Sequence, residues 1–185
     1  IREIIANELN IPINAIGDKG EINKLKNLEK SLNSQVFGQL TAVNKIVNSI
    51  IMNRAQVVLK DKPVGSFLLA GPTGVGKTEI CKQLAKELDI PLIRFDMSEY
   101  KESHSLAKLI GTAPGYTGHD NGGLLVEEIT KTPNCVLLLD EIEKAHSNIY
   151  DILLQIMDYA SVTDGQGRKA DFKNVILFMT SNLGH

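Results

Sequence analysis

One stretch of eight residues has the composition and spacing of a phosphate-binding loop. It reads Gly-Pro-Thr-Gly-Val-Gly-Lys-Thr and matches the pattern GxxxxGK followed by Ser or Thr. Its glycines allow backbone N–H groups to face phosphate oxygens at the positive end of the following helix. Lys77 is expected to reach the β- and γ-phosphates of a nucleotide, and the Thr78 hydroxyl to bind Mg²⁺. The residues expected to bind this cofactor are Gly71, Pro72, Thr73, Gly74, Val75, Gly76, Lys77 and Thr78.

Two adjacent carboxylates, Asp140 and Glu141, directly follow the apolar run Val136–Leu139. Where a strand ends the chain turns, so both side chains can approach a ligand at the carboxyl edge of a parallel sheet. We expect Asp140 to hold Mg²⁺ through a water molecule and Glu141 to polarise the water that attacks the phosphate. Alone, this pattern is more often an ordinary junction between a strand and a loop. Beside a phosphate-binding loop, the catalytic interpretation is favoured.

Asn182 follows a second apolar run, Val175–Met179, near the end of the sequence. Its side-chain amide is expected to hydrogen-bond the γ-phosphate or the attacking water. Without the other two motifs, an asparagine in this place would more often serve a turn. With them, we count Asn182 among the catalytic residues, together with Lys77 and Glu141.

These motifs need a parallel sheet to bring them together. Apolar runs alternate with segments of helical periodicity, which predicts an α/β fold with a three-layer parallel sheet and helices on both faces. Strands are predicted at Ser66–Ala70, Pro91–Phe95, Val136–Leu139 and Val175–Met179. A hairpin is predicted to begin at Val162. The run Val136–Leu139 is apolar throughout, as expected of a strand that is covered on both faces.

The composition is that of an ordinary globular chain. The 185 residues are 43% hydrophobic and 23% charged, and 20 Lys and Arg against 22 Asp and Glu give a net charge of −2. This balance excludes wholesale disorder and argues against a dedicated nucleic-acid binder, which is usually basic. No apolar run approaches the roughly 18 residues that span a bilayer. Cys81 and Cys135 form no CxxC motif and no disulfide framework, which fits a reducing cytoplasm. We therefore expect a cytoplasmic protein without a membrane segment, and the first residue, Ile1, indicates a fragment of a longer one.

Together the motifs resemble those of AAA+ ATPases. Gly71–Thr78 is similar to Walker A, Leu137–Glu141 to Walker B, and Met179–Asn182 to sensor 1. Gly115–Gly118, which reads Gly-Tyr-Thr-Gly, is similar to the pore loop with which Clp/Hsp100 unfoldases grip their substrates. Val36–Gln39 is similar to the segment that cups adenine in such modules. The resemblance extends over nearly the whole chain from Val36 to Gly184.

The resemblance implies a P-loop NTPase fold, with an AAA+ large subdomain at residues 36–185 and a helical lead-in or linker at residues 1–35. It implies that ATP or ADP binds with Mg²⁺ and that Val36 and Phe37 contact the adenine. Tyr116 would grip the substrate, although a tyrosine that packs back on the surface is the alternative. An arginine finger, a sensor-2 arginine and a peptidase-docking loop would lie beyond residue 185, so we expect the isolated chain to be weakly active or inactive.

Within Clp/Hsp100 proteins, the chain is most similar to the second ATPase module of the ClpA type. Gly65–Leu68, Asp140–His146 and Gly167–Phe172 carry this likeness, whereas Ser181–Gly184 is closer to the ClpB type. The resemblance implies a homo-hexameric unfoldase that uses ATP to thread protein substrates into a ClpP-like peptidase. A ClpB- or ClpC-like disaggregase or chaperone module is the alternative. A nucleic-acid motor is a further alternative, which the net charge and Tyr116 disfavour.

Overall fold

The computed structural model describes residues 19–54, 61–111 and 122–183. The helices are α1 (Lys19–Gln35), α2 (Leu40–Arg54), α3 (Lys77–Leu88), α4 (Ser103–Ile110), α5 (Leu124–Lys131) and α6 (Ile149–Tyr159). The strands are β1 (Gly65–Ala70), β2 (Leu92–Asp96), β3 (Val136–Asp140), β4 (Ser161–Thr163), β5 (Lys169–Asp171) and β6 (Ile176–Ser181). Two short 3₁₀ helices follow β2 and β3, at Met97–Tyr100 and Ile142–Lys144.

Four strands form a parallel sheet in the order β1-β6-β3-β2. Leu138 of β3 lies opposite Phe178 of β6, which in turn lies opposite Phe67 of β1. All residues of β3 and β6 are buried, which explains why both sequences are apolar almost throughout. The predicted parallel α/β sheet is confirmed.

Helices cover both faces of this sheet, which confirms the predicted three-layer arrangement. Leu138 and Phe178 point to one face and pack in a cluster that includes side chains of α1, α2 and α3. Leu137 and Leu177, their neighbours in sequence, point to the other face and pack with side chains of α4, α5 and α6. The central strands therefore contribute to two separate cores.

The predicted strand bounds differ from the observed ones by at most two residues, and β2, β3 and β6 extend further at their carboxyl ends than predicted. Ser181 still pairs with Ala70, and Asp96 still pairs with Asp140, so these polar residues belong to the strands. Helix α5 is not predicted from the sequence, and it is only eight residues long. The predicted hairpin is confirmed, because β4 pairs with β5 in the antiparallel sense.

Helix α1 lies within the segment predicted as a lead-in. Its residues Leu28 and Leu32, together with Val36, are buried in the same cluster as side chains of α2 and α3. The boundary between residues 35 and 36 stays a prediction. In the described parts of the chain, no helix has the length and apolar composition needed to cross a membrane.

Candidate nucleotide site

The glycine-rich loop connects the carboxyl end of β1 to the first residue of α3. The Gly71 N–H donates to the Ser181 carbonyl oxygen at 3.2 Å, which joins the start of the loop to the end of β6. Gly74 and Gly76 have φ angles of 86° and 95°, a region in which an L side chain is strained. Among the described residues, no side chain caps the start of α3, which leaves its first N–H groups to an anion. This geometry suits the phosphate-binding role predicted for residues 71–78.

The Lys77 ammonium group joins the loop to the end of the sheet. Its Nζ donates to the carbonyl oxygens of Gly71 at 2.6 Å and Pro72 at 2.9 Å. It also donates to Asn182 Oδ1 at 2.9 Å, although the two residues are 105 positions apart in the chain. Two of the three predicted catalytic residues are therefore in direct contact.

Glu141 completes this contact chain. Asn182 Nδ2 donates to Glu141 Oε1 at 2.9 Å, so the amide of Asn182 lies between Lys77 and Glu141. Glu141 has a φ of 55°, in the left-handed region that costs a residue other than glycine about 1–3 kcal/mol. Its N–H donates to Thr180 Oγ1 at 3.0 Å, which holds this turn. The turn allows both Asp140 and Glu141 to line one cleft, although adjacent residues of a regular strand point apart.

Asp140 is buried, with 8% of the residue exposed, and protein donors contact both of its carboxylate oxygens. The Thr180 hydroxyl donates to Oδ1. Arg94 donates to Oδ2 from Nε at 3.0 Å and from Nη2 at 2.7 Å. Neither Arg94 nor Thr180 is among the site residues that the sequence motifs predict. The available signal was the polar residue itself, since Arg94 is a charged residue within the otherwise apolar run Pro91–Phe95.

The carboxylate of Glu143 binds the backbone of Asn182. The Asn182 N–H donates to Glu143 Oε1 at 3.1 Å. Burial by itself raises the pKa of Glu143, but its own N–H, the Asn182 N–H and the Ser181 hydroxyl stabilise the carboxylate. The pKa of Glu143 therefore lies below its usual value, and the group is ionised at neutral pH.

An open cleft of about 430 Å³ lies between the loop and the carboxyl ends of the strands. Lys77, Thr78, Asp140, Glu141 and Asn182 all line it. A hydroxyl and a carboxylate are the hard oxygen ligands that Mg²⁺ takes together with water and phosphate oxygens. The donor set at Thr78 and Asp140 therefore fits the predicted ion.

A second hollow of about 460 Å³ adjoins the loop on the side of α1 and α2. Val36 and Phe37 line it together with Gly74 and Gly76. The Phe37 side chain is 84% exposed, and Gln39 Nε2 donates to the Val75 carbonyl oxygen at 3.0 Å. An exposed aromatic ring beside the phosphate loop suits a planar base, and the adenine contact stays a prediction. Tyr116 and the rest of Gly115–Gly118 lie outside the described residues.

A family model described as "AAA domain (Cdc48 subfamily)" matches residues 62–185. The chain belongs to the AAA domain family. This AAA domain is 50% identical to a ClpA homolog protein of Fuscovulum blasticum, over 100% of the chain and 23% of that protein. It is 48% identical to the chaperone protein ClpB of Dichelobacter nodosus, over 100% of the chain and 22% of that protein.

A third relative is the ATP-dependent Clp protease ATP-binding subunit ClpE of Streptococcus pneumoniae. This AAA domain is 49% identical to it, over 100% of the chain and 25% of that protein. The predicted likeness to Clp/Hsp100 AAA+ ATPases is confirmed, and the domain is an ATPase by family. The chain spans about a quarter of the length of these relatives or slightly less. Similar identities to proteins named ClpA, ClpB and ClpE do not separate these types.

Proposed function

We propose that this AAA domain binds ATP with Mg²⁺ and hydrolyses it as one module of a Clp-type protein unfoldase. The observation that carries the proposal is the contact chain from Lys77 through Asn182 to Glu141 at the edge of one cleft. A phosphate ligand, a proton acceptor and an orienting amide are the groups that phosphoryl transfer to water needs.

In this mechanism Lys77 exchanges its bonds to the loop carbonyls for bonds to the β- and γ-phosphates. Magnesium, when bound, neutralises part of the phosphate charge. Glu141 accepts a proton from the attacking water as the water oxygen bonds to the γ-phosphorus and the bond to ADP breaks, and Asn182 orients the water or the γ-phosphate. Thr78 and Asp140 would hold the ion, Asp140 through a water molecule.

We infer the assembly and the partners from the resemblance of the motifs to Clp/Hsp100 unfoldases, which the relatives named ClpA, ClpB and ClpE support. The full-length protein forms a homo-hexamer, pulls protein substrates through the ring with Tyr116 and delivers them to a ClpP-like peptidase. Residues 36–185 form the large subdomain, residues 1–35 lead into it, and the protein works in the cytoplasm. A ClpB- or ClpC-like disaggregase or chaperone is the second candidate, because 48% identity to ClpB nearly equals the 50% identity to the ClpA homolog.

The substitution Glu141→Gln tests the ATPase proposal. The amide keeps the shape and an oxygen that Asn182 can bond, but it cannot take a proton from water. In the full-length protein, with any other ATPase module silenced, hydrolysis should fall by about 10²-fold or more while ATP stays bound. Glu127→Gln on the surface of α5 is the control and should keep the wild-type rate. Turnover of Glu141→Gln at the wild-type rate would show that the base lies elsewhere.

Two further measurements separate the candidate roles. Co-purification of the full-length protein with a ClpP-like peptidase supports delivery to a peptidase, and its absence supports a disaggregase. Addition of DNA or RNA should leave the hydrolysis rate unchanged. A strong stimulation by nucleic acid would contradict the unfoldase proposal.

A further inference from the structure

Arg94 is a charged side chain in the middle of β2, between the apolar residues Ile93 and Phe95. Its backbone pairs with Leu138, while its guanidinium group extends toward the end of β3 and reaches Asp140. The side chain is 49% exposed and lines the same cleft as Lys77. Strand pairing does not require an arginine at this position. The contact of Arg94 with Asp140 therefore suggests a functional role.

Both carboxylate oxygens of Asp140 accept hydrogen bonds from protein groups. Each carboxylate oxygen offers about two acceptor positions. Arg94 fills both positions of Oδ2, with Nε at 3.0 Å and Nη2 at 2.7 Å. Thr180 fills one position of Oδ1 with its hydroxyl. No other donor in the described part of the chain contacts Oδ1, so one of its acceptor positions is left for a ligand in the cleft.

We propose that Arg94 is a positioning residue that locks the Asp140 carboxylate and leaves Oδ1 to accept the water ligand of magnesium. This inference rests on the proposed function, because it assigns Arg94 a part in the magnesium site of that ATPase. The carboxylate cannot rotate without breaking the two bonds from Arg94 and the bond from Thr180. Since Thr180 also accepts from the Glu141 N–H at 3.0 Å, the same lock reaches the turn that carries Glu141.

The planar fork of arginine matters as well as its charge. A guanidinium group can give two bonds of fixed geometry to one carboxylate, whereas an ammonium group is a point charge on a flexible stem. The substitution Arg94→Lys therefore keeps the charge beside the phosphates and removes the fork. Replacing Arg94 by a neutral residue would also weaken the general attraction of the cleft for ATP, and the two effects would be mixed.

The hairpin offers a matched control. Arg168 Nε donates to Asp164 Oδ2 at 2.8 Å, and its side chain is 47% exposed while that of Asp164 is fully buried. This pair also joins a half-exposed arginine to a buried aspartate, through Nε, and neither residue lines the cleft. Arg168→Lys thus makes the same change in a similar pair elsewhere in the fold.

The test measures binding of N-methylanthraniloyl-ATP to the purified chain by fluorescence, in excess Mg²⁺ and in excess EDTA. The quantity compared is the ratio of the Kd in EDTA to the Kd in Mg²⁺. For Arg94→Lys the ratio should fall by about 10-fold, the size typical of lost support behind a metal ligand, while the Kd in EDTA stays within about twofold. Wild type and Arg168→Lys should share one ratio. Circular dichroism spectra verify that each variant is folded.

A second measurement repeats the substitution in an Asp140→Asn background. Because Arg94 acts through Asp140, Arg94→Lys should cause no further fall in the ratio there. An equal fall in both backgrounds would overturn the inference, as would an unchanged ratio for Arg94→Lys in the wild-type background. An equal loss of affinity in Mg²⁺ and in EDTA would mean that Arg94 contacts the phosphates instead. A wild-type ratio of one would contradict the proposed function itself, before any variant is compared.

Discussion

At the scale of single residues, the hydrogen bonds of Lys77 are ones that a phosphate group can replace. Its three acceptors are two loop carbonyls and the Asn182 amide oxygen, which are neutral groups that an anion can replace. Bonds from an ammonium group to phosphate oxygens are charge-assisted and about twice as strong as bonds between neutral groups. An incoming nucleotide therefore has a favourable exchange at this position.

We predict that Lys77→Ala abolishes nucleotide binding, because it removes the main positive charge that the loop offers to the β- and γ-phosphates. Equilibrium binding of a fluorescent ATP analogue to the purified chain measures the effect. Lys82→Ala is the control, since Lys82 lies on the same helix but is exposed and does not line the cleft. Unchanged affinity in Lys77→Ala would refute the phosphate-loop assignment.

At the scale of elements, the hairpin of β4 and β5 is closed by a buried carboxylate. Asp164 accepts from the N–H groups of Gln166 at 3.0 Å and Arg168 at 2.9 Å, and from the Arg168 guanidinium group. Burial by itself raises the pKa of Asp164, but these donors outweigh it and hold the pKa below the usual value. The charged form of Asp164 thus stabilises the turn between the two strands.

The lowered pKa of Asp164 determines how the free energy of unfolding changes with pH. A carboxylate with a lower pKa in the folded state contributes stability above its unfolded-state pKa and loses it as the pH falls through the folded value. Asp164→Asn should therefore lower the free energy of unfolding by about 1–2 kcal/mol at pH 7. The gap to wild type should narrow progressively below about pH 4.

Urea unfolding of both proteins over this pH range measures the gap. Asp158→Asn is the control, because the Asp158 side chain is 57% exposed and its ion pair with Lys62 is long, at 3.6 Å. Its effect should stay small at every pH. A gap for Asp164→Asn that does not change with pH would show that shape, rather than charge, matters at this turn.

At the scale of the whole molecule, unfolding a protein requires a grip that does not depend on the substrate sequence. An aromatic ring offers broad contact with only two side-chain torsions to fix, which suits Tyr116 for this role. We predict that Tyr116→Ala in the full-length protein leaves ATP hydrolysis within about threefold, under about 1 kcal/mol in the barrier. Unfolding of a stably folded substrate should nearly stop.

Both activities are measured on one preparation of each variant. Tyr159→Ala is the control, because Tyr159 is an exposed tyrosine at the end of α6, with 70% of its surface accessible. A parallel fall of both activities in Tyr116→Ala would mean a structural role or a place in the ATPase site. If neither activity falls, another residue grips the substrate, and Tyr116 no longer supports the unfoldase proposal.

The amino-acid sequence was sufficient to predict the fold class and a phosphate-binding loop, because both predictions depend on local patterns. Gly74 and Gly76 have positive φ angles that favour glycine, so the residue types alone indicate the conformation of the loop. The apolar run of β3 is the direct consequence of burial on both faces. The family assignment has the same source, since it depends on short motifs at fixed spacing.

Which side chains meet at the end of the sheet cannot be read from the sequence and follows from the way the chain folds. Arg94 and Thr180 lie 46 and 40 positions from Asp140, and Lys77 lies 105 positions from Asn182. These residues meet because β6 lies between β1 and β3, and β2 lies on the other side of β3. The residue pattern predicts that a segment is a strand. It does not predict the order of the strands in the sheet, because the same pattern fits every order. The partners of Asp140 therefore follow from strand order and register, which are set by how the helices and strands pack together.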